Sequence, residues 1–378
     1  MAFIKWKRWI PLLLAGMLAA AGAAAESTDP NPTVRTGGVH IVDVIPEPEH
    51  TPPPSVTPAP AAPVTAAPEA TPETASFTPE PSAAPEPTPV PTATPVPTAT
   101  PVPVLPAIID RFNEPERWAD FAFDDDAELL RVIFPPIRDC DTQMILCGGE
   151  SLLIDCGSNE FTQAMIDMLR LYGIRRIDTV LITHPHHDHV EGFERLAQEV
   201  EIGKVLVCFP ADYNQRMKWL LDRAANSEIP VRWFRDGDVL TVGGATLTVY
   251  LRSPESYECN DRSAQLRLCF GERTMFFAAD LEKAGMQALA DSVTVGEIRS
   301  DILRYPHHGK AALEPGFHNR IVPQLAVITN KDRGWAGQKY MKTEGVPVIN
   351  TRLYGLVLTT DGKHWLTDRL YSEPVRGS

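Results

Sequence analysis

Leu181-Ile182-Thr183-His184-Pro185-His186-His187-Asp188-His189-Val190-Glu191-Gly192 places five potential metal ligands within six positions, directly behind an apolar run. Residues 179–183 are short, β-branched and apolar, so they read as a buried strand that delivers the histidines to a sheet edge. On the loop after a strand, imidazoles and a carboxylate spaced H-x-H-x-D-H can converge on one point, because the loop frees side chains from the strand's two-face alternation. That donor set suits zinc. A solvated His-rich turn is the alternative, yet this loop holds four of the chain's ten histidines.

Composition bounds what surrounds the loop. With 378 residues, 43% of them hydrophobic, the chain can build one large core or two small ones. Its 36 prolines are too many for an ordinary globular chain, and most precede Ala107, so the folded part is shorter than the chain. The formal net charge of -14 argues against general affinity for nucleic acid and leaves room only for a local basic groove.

Lys5, Lys7 and Arg8 precede an apolar run over residues 9–21, and small residues follow to Ala25. This is the layout of a secretory signal peptide over residues 1–25, with an uncleaved membrane anchor as the rival reading. Cleavage would leave no stable membrane span and a secreted, extracellular protein. Residues 26–106 are dominated by Pro, Thr, Ala, Val and Glu, with PTATPV in tandem over residues 91–102. Such a segment cannot bury enough apolar surface to order itself, and is expected to be an extended linker, either a passive tether or a reach into a cell wall.

Folded sequence is expected over residues 107–378. Residues 128–134, 143–147 and 151–155 read as strands, followed by a helix on the spacing of Phe161, Met165, Met168, Leu169 and Tyr172. Beyond the histidine loop, residues 204–209 and 231–234 read as strands flanking a helix that presents Met217, Leu220 and Ala224. Residues 238–251 form a hairpin about Gly243-Gly244, and residues 266–270 and 274–278 a second pair before a helix over 281–289. This alternation fits an α/β fold, two mixed sheets between helix layers. Six cysteines leave their pairing open; Cys140 and Cys147, flanking one short strand, are the first candidates for a bridge. Cys156, Cys208 and Cys269 read as buried free thiols.

Asp280 follows the apolar run 275–279, and His307-His308-Gly309 follows 302–306, so both stand at strand ends that can share an edge with the first loop. Taken alone, Asp280 would be a helix N-cap and the histidine pair a polar turn. Together with the histidine loop, these stretches resemble the metallo-β-lactamase fold hydrolases, and most nearly the extracellular hydrolase domain of ComEC-type competence proteins. The resemblance covers roughly residues 129–366 and is strong at the metal motifs. Leu152-Leu153-Ile154-Asp155-Cys156-Gly157 is similar to the family's Leu-Ile-Asp-x-Gly strand, and Asn260-Asp261-Arg262-Ser263 to its Asn-x-x-Ser.

The resemblance implies a metallo-β-lactamase αβ/βα sandwich with two zinc ions. His184 and His186 would hold one ion, and Asp188 and His189 the other, with Asp280 bridging. The family pattern leaves the last ligand to His307 or His308; the reading adopted is His307, with His308 near the leaving group. Asp155, Asn260 and Ser263 would support the ligands from behind. The implied chemistry is hydrolysis by a metal-bound hydroxide that Asp188 orients, with His308, Lys310 or Tyr340 at the departing group.

Several positions depart from the family. Glu191 stands where the first of two glycines is usual, Lys310 replaces a Ser, and Gln338 replaces a His. Of the family's opening Val-Gly-Gln-Gly-Asp, residues 137–141 keep only Asp141. No histidine occurs from Val190 to Pro306, so the first metal would have fewer protein ligands and bind more weakly. The expected function is a secreted zinc-dependent phosphodiesterase acting on nucleic acid or a cell-envelope phosphoester. A lactam or acyl-ester hydrolase, or a non-catalytic tethered binding module, are the alternatives.

Overall fold

The computed structural model describes residues 105–330 and 335–375. The expected signal peptide, and the expected linker up to residue 104, lie outside the described residues.

Two large sheets carry the fold. The first has nine strands in the spatial order Ile108–Asp110, Trp365–Asp368, Leu356–Thr360, Leu130–Phe134, Gln143–Cys147, Glu150–Ile154, Thr179–Leu181, Val205–Val207 and Val231–Trp233. The second has seven, in simple sequence order: Val239–Val242, Ala245–Tyr250, Gln265–Phe270, Arg273–Phe277, Ile302–Arg304, Leu325–Ile328 and Val348–Asn350. Both sheets are mixed, antiparallel in one part and parallel in the other.

Period-two alternation explains why the sheets stack. In Leu130–Phe134, Leu130, Val132 and Phe134 point into a central core while Ile133 points out; in Leu325–Ile328, Leu325 and Val327 point in while Ala326 and Ile328 point out. The central core joins Ile145, Leu152 and Leu181 of the first sheet to Leu247, Leu266 and Ile302 of the second. Outside the first sheet pack the helices Thr162–Leu171, Phe193–Glu199 and Gln215–Asn226, through Met165, Phe193 and Leu220. Outside the second pack Lys283–Ser292, Pro315–Ile321 and Ala336–Thr343, through Leu289, Phe317 and Met341. The layers run helix, sheet, sheet, helix, which is the metallo-β-lactamase sandwich expected from the sequence.

The bridge expected between Cys140 and Cys147 does not form: all six cysteines are free. The strand between them spans about 13 Å from Gln143 to Cys147 at ~3.3 Å per residue, beyond the ~7 Å that a disulfide closes. Burial pushes the Cys140 thiol up to about 12, so it stays protonated.

The parallel strands place the site. Asp155 follows Glu150–Ile154, the histidine loop follows Thr179–Leu181, Asp280 follows Arg273–Phe277, His307 and His308 follow Ile302–Arg304, and Thr329 follows Leu325–Ile328. Parallel strands end at a common edge, so every one of these residues emerges on the same side of the sandwich.

Candidate metal centre

Backbone bonds knit the loops before any side chain is considered. Asp155 N donates to Leu181 O, Cys156 N to His189 O, Asp141 N to Asp188 O, Ala264 N to Thr183 O and His307 N to Ala279 O. Four non-glycine residues at this edge, Asp155, Ala279, His307 and His308, hold φ of 57°, 44°, 46° and 54°. Each left-handed residue costs on the order of 1–2 kcal/mol, which the surrounding sheets sustain.

The imidazoles are oriented by two parallel devices. Asp155, 1% exposed, accepts from Thr183 N at 2.8 Å, Thr183 Oγ1 at 2.8 Å and His189 Nδ1 at 2.7 Å. Thr183 Oγ1, its proton given to Asp155, is left to accept from His184 Nδ1 at 3.1 Å. On the opposite wall Thr329 Oγ1 donates to Asp141 at 3.1 Å and accepts from His308 Nδ1 at 3.0 Å. With every Nδ1 proton committed outward, the Nε2 atoms of His184, His189 and His308 all point inward, where a cation can take the place of a proton.

They point at Asp280. Its Oδ2 lies 3.3 Å from His189 Nε2, 3.5 Å from His308 Nε2, 3.8 Å from His307 Nε2 and 4.0 Å from His184 Nε2. Asp188 Oδ2 is 3.3 Å from His308 Nε2 and 4.0 Å from His189 Nε2. His184 Nε2 and His186 Nδ1 stand 3.1 Å apart at the other side. His189 Nε2 and Asp280 Oδ1 are buried polar atoms with no hydrogen-bond partner.

Electrostatics point the same way. Burial opposes charge on His189, but Asp280, Asp155 and Asp188 outweigh it and hold the imidazole well above its ordinary pKa. Burial also pushes against ionisation of Asp188 and Asp280, yet His189 and His308 keep both carboxyls below the usual carboxylate range. Burial drives His184 well below its ordinary value, with the charge of His189 adding to it. Four buried carboxyls, Asp141, Asp155, Asp188 and Asp280, thus face two cationic groups, His189 and Arg304, an arrangement short of positive charge.

A divalent cation fits this deficit. Donors bonded to zinc at ~2.0–2.1 Å in a tetrahedron lie about 3.4 Å apart, and the separations among Asp188, His189, Asp280 and His308, from 3.3 to 4.0 Å, bracket that edge. Asp141, His189, Asp280 and His308 also form a buried group whose donor atoms all lie within 4.8 Å of one another. Asp141, however, is already engaged by Arg304, Thr329 and Gln143.

Of the residues expected from sequence, His184, His186, Asp188, His189 and Asp280 converge. Asp155 stands behind His189, and Ser263 Oγ accepts from Asp280 N at 3.3 Å. Asn260 is at the rim, donating to Glu282 Oε1 at 3.0 Å. His187 faces solvent with 60% of its side chain exposed. The two late histidines exchange the places expected for them. His308 is fully buried within the tight group, whereas His307 is half-buried, 3.1 Å from Glu282 Oε1 and 2.8 Å from Lys310 Nζ. Both have left-handed backbone, and both Nε2 atoms face Asp280 Oδ2, His308 from within the core and His307 from the rim. Tyr340 is not at the site, since its hydroxyl pairs with His318 Nδ1 at 3.0 Å.

Sequence reasoning missed Asp141 and Arg304. Arg304 is 1% exposed, bonds to Asp141 and Ala279 O, and lies 3.6 Å from Asp280 Oδ1. An arginine in the apolar strand Ile302–Arg304, just ahead of Pro-His-His, is the signal that could have found it.

Comparison with known proteins defines the class. Residues 141–320 match the family model described as Metallo-beta-lactamase superfamily, so the chain carries a domain of that superfamily, whose members are generally metal-dependent hydrolases. Weak homology links it to ComEC-type competence proteins. It is 25% identical over 171 residues to ComE operon protein 3 of Bacillus subtilis (strain 168), covering 44% of this chain and 22% of that one. It is 24% identical over 222 residues to competence protein ComA of Neisseria gonorrhoeae, covering 56% and 29%. The aligned part is thus well under half the length of either relative. Among solved structures, the metallo-beta-lactamase fold protein YhfI from Bacillus subtilis aligns with a TM-score of 0.43 at 14% identity, covering 62% of this chain and 100% of that one.

Proposed function

We propose that the domain is a secreted zinc-dependent phosphodiesterase acting on nucleic acid or a cell-envelope phosphoester. The observation that carries this reading is the single oxygen of Asp280 facing four imidazole nitrogens at 3.3–4.0 Å, a position suited to bridging two cations. Asp188, His189 and His308 would hold one ion with Asp280; His184 and His186 would hold the other, more weakly because no further histidine completes it. Zinc held there supplies Lewis acidity and lowers the pKa of water toward neutrality.

The protein's own groups do the rest. Asp155 and Thr183 keep the nitrogen lone pairs of His189 and His184 directed inward, and Thr329 does the same for His308. Asp188, held ionised, orients the attacking water. His307 and Lys310, 2.8 Å apart at the rim, are placed to hold the departing oxygen. The cationic Lys310 beside His307 favours an anionic phosphodiester over a neutral lactam. The basic and apolar N-terminus supports export, and the Pro/Thr-rich stretch supports a tether reaching into a cell wall.

Metal content of the purified protein, with turnover of bis(p-nitrophenyl) phosphate, single-stranded DNA and a cephalosporin, tests this reading. Bound zinc and turnover of either phosphodiester, lost in His184→Ala with His189→Ala, is the expected result. Turnover of the cephalosporin alone, or phosphodiesterase activity that survives the double substitution, refutes it.

A further inference from the structure

The turn Asn260–Arg262 is fixed to the metal loops from several sides. Ser263 Oγ donates to Asn260 O at 2.7 Å while accepting from Asp280 N, and Asp261 Oδ1 accepts from Glu282 N and Gly285 N, both at 2.8 Å. Arg262 is therefore held in register with Asp280. Its guanidinium lies 5.2 Å from the ring of Phe209 and 5.4 Å from that of Tyr213, and those rings pack edge to face at 4.6 Å. The aromatic pair orients the planar cation and leaves its donor edge free, since no carboxylate lies within 4.0 Å of it among the described residues.

A cavity of about 170 Å³ opens beside it, bounded by Arg252, Ser253, Glu255, Arg262, Ser263 and Phe209. Arg252 is partly neutralised by Asp236 at 2.7 Å, and Glu255 lines the same cavity without an ion pair to Arg262, so Arg262 is the cation left to meet an anion there. One wall of the cavity is Ser263, the residue that bonds to the Asp280 backbone, so the cavity adjoins the metal centre.

We propose that this cavity is a second phosphate subsite, which takes the phosphodiester group neighbouring the one being cleaved in a polymeric substrate. The proposal rests on the phosphodiester reading of the metal centre and extends it to chain substrates. A forked guanidinium with the Ser253 hydroxyl beside it matches the oxygens of a phosphate.

The test uses the full chain loaded with zinc and a fluorescein-labelled tetrathymidylate with phosphorothioate linkages, its affinity followed by anisotropy against salt. Arg262→Gln is expected to weaken binding about tenfold and to lower the slope of log affinity against log salt by about 0.7, one phosphate contact on a single strand. Arg262→Lys, which keeps the charge, is expected to keep the slope. A merely structural role would lower Tm without moving the slope. Binding by Arg262→Gln within twofold of wild type, with the same slope, overturns the proposal. An unlabelled glycerol phosphate tetramer is expected to displace the probe from wild type; failure to do so overturns recognition through phosphate. The readout is binding, so it stands whether or not bis(p-nitrophenyl) phosphate is hydrolysed, and a failed subsite is told apart from a failed hydrolytic reading.

Discussion

Replacing Asp155 by Asn changes almost nothing in volume and removes one charge from the most connected carboxylate of the site. Asn also tolerates the left-handed φ of 57° held there, so backbone strain does not confuse the result. The carboxylate accepts three hydrogen bonds at 2.7–2.8 Å, two of them at Oδ2, from Thr183 Oγ1 and His189 Nδ1. An amide offers one acceptor oxygen. With nitrogen at the Oδ2 position, donor faces donor; with the amide flipped, the bond from Thr183 N is lost instead. Either way a charge-assisted bond of about 1.5–3 kcal/mol goes. His189 then gains by turning its Nδ1 into an acceptor, which protonates Nε2 and removes the lone pair aimed at Asp280. Zinc affinity, measured by competition with a chelator, should fall roughly 10- to 100-fold, about 1.4–2.8 kcal/mol. A dissociation constant within threefold of wild type would show that Asp155 does not govern His189, and the account of how the imidazoles are aimed would be wrong.

His308→Ala should cost close to one zinc per chain by elemental analysis, whereas His307→Ala should retain its zinc and lose turnover on substrates with poor leaving groups; equal zinc loss in both would refute the exchange of places. In zinc-free protein His189 is held above its ordinary value, so the stability it contributes is complete below about pH 6.5 and drains as pH rises through the raised value. Asp188 and Asp280, held below theirs, contribute above about pH 4 and lose it on acidification. His184 and His186, held below their ordinary value, cost stability below about pH 6.5, so Tm of chelator-treated protein should peak near pH 6–7 and decline toward pH 9, and a flat profile over pH 7–9 contradicts the charge balance described. A Cβ on Gly192 would stand 2.1 Å from Cys156 O, a backbone atom that cannot yield, so Gly192→Ala should destabilise by about 1–3 kcal/mol in a urea titration. No measurable loss would mean that the helix Phe193–Glu199 is not closely seated on the strand ends.

The strand Gln143–Cys147 and the hairpin about Gly243 and Gly244 were legible because alternation and turn chemistry are local signals. The strand Ile108–Asp110 was not: it has three residues, and its partner Trp365–Asp368 is far away in sequence. The site was legible wherever a ligand type followed an apolar run, as at His184 and Asp280. It was illegible where neighbours in sequence diverge in space. His307 and His308 differ by one position and share a left-handed backbone, and only the packing around the turn puts His308 in the core and His307 at the rim. Asp141 passed as the remnant of a motif, because the arginine that gives it a purpose lies over 160 positions later, inside a strand.

The metal centre draws Asp155, Thr183 and His189 from the edge of one sheet and Asp280, His308 and Thr329 from the edge of the other. Any cation held between them fastens the two halves of the sandwich at their open rim. By mass action, a cation at a thousand times its dissociation constant would add about 4 kcal/mol to the folded state, a large share of what a domain has in reserve. Resistance of this chain to heat or proteolysis would then follow the free metal concentration of its surroundings, and starvation for metal would shorten its lifetime as well as silence its chemistry.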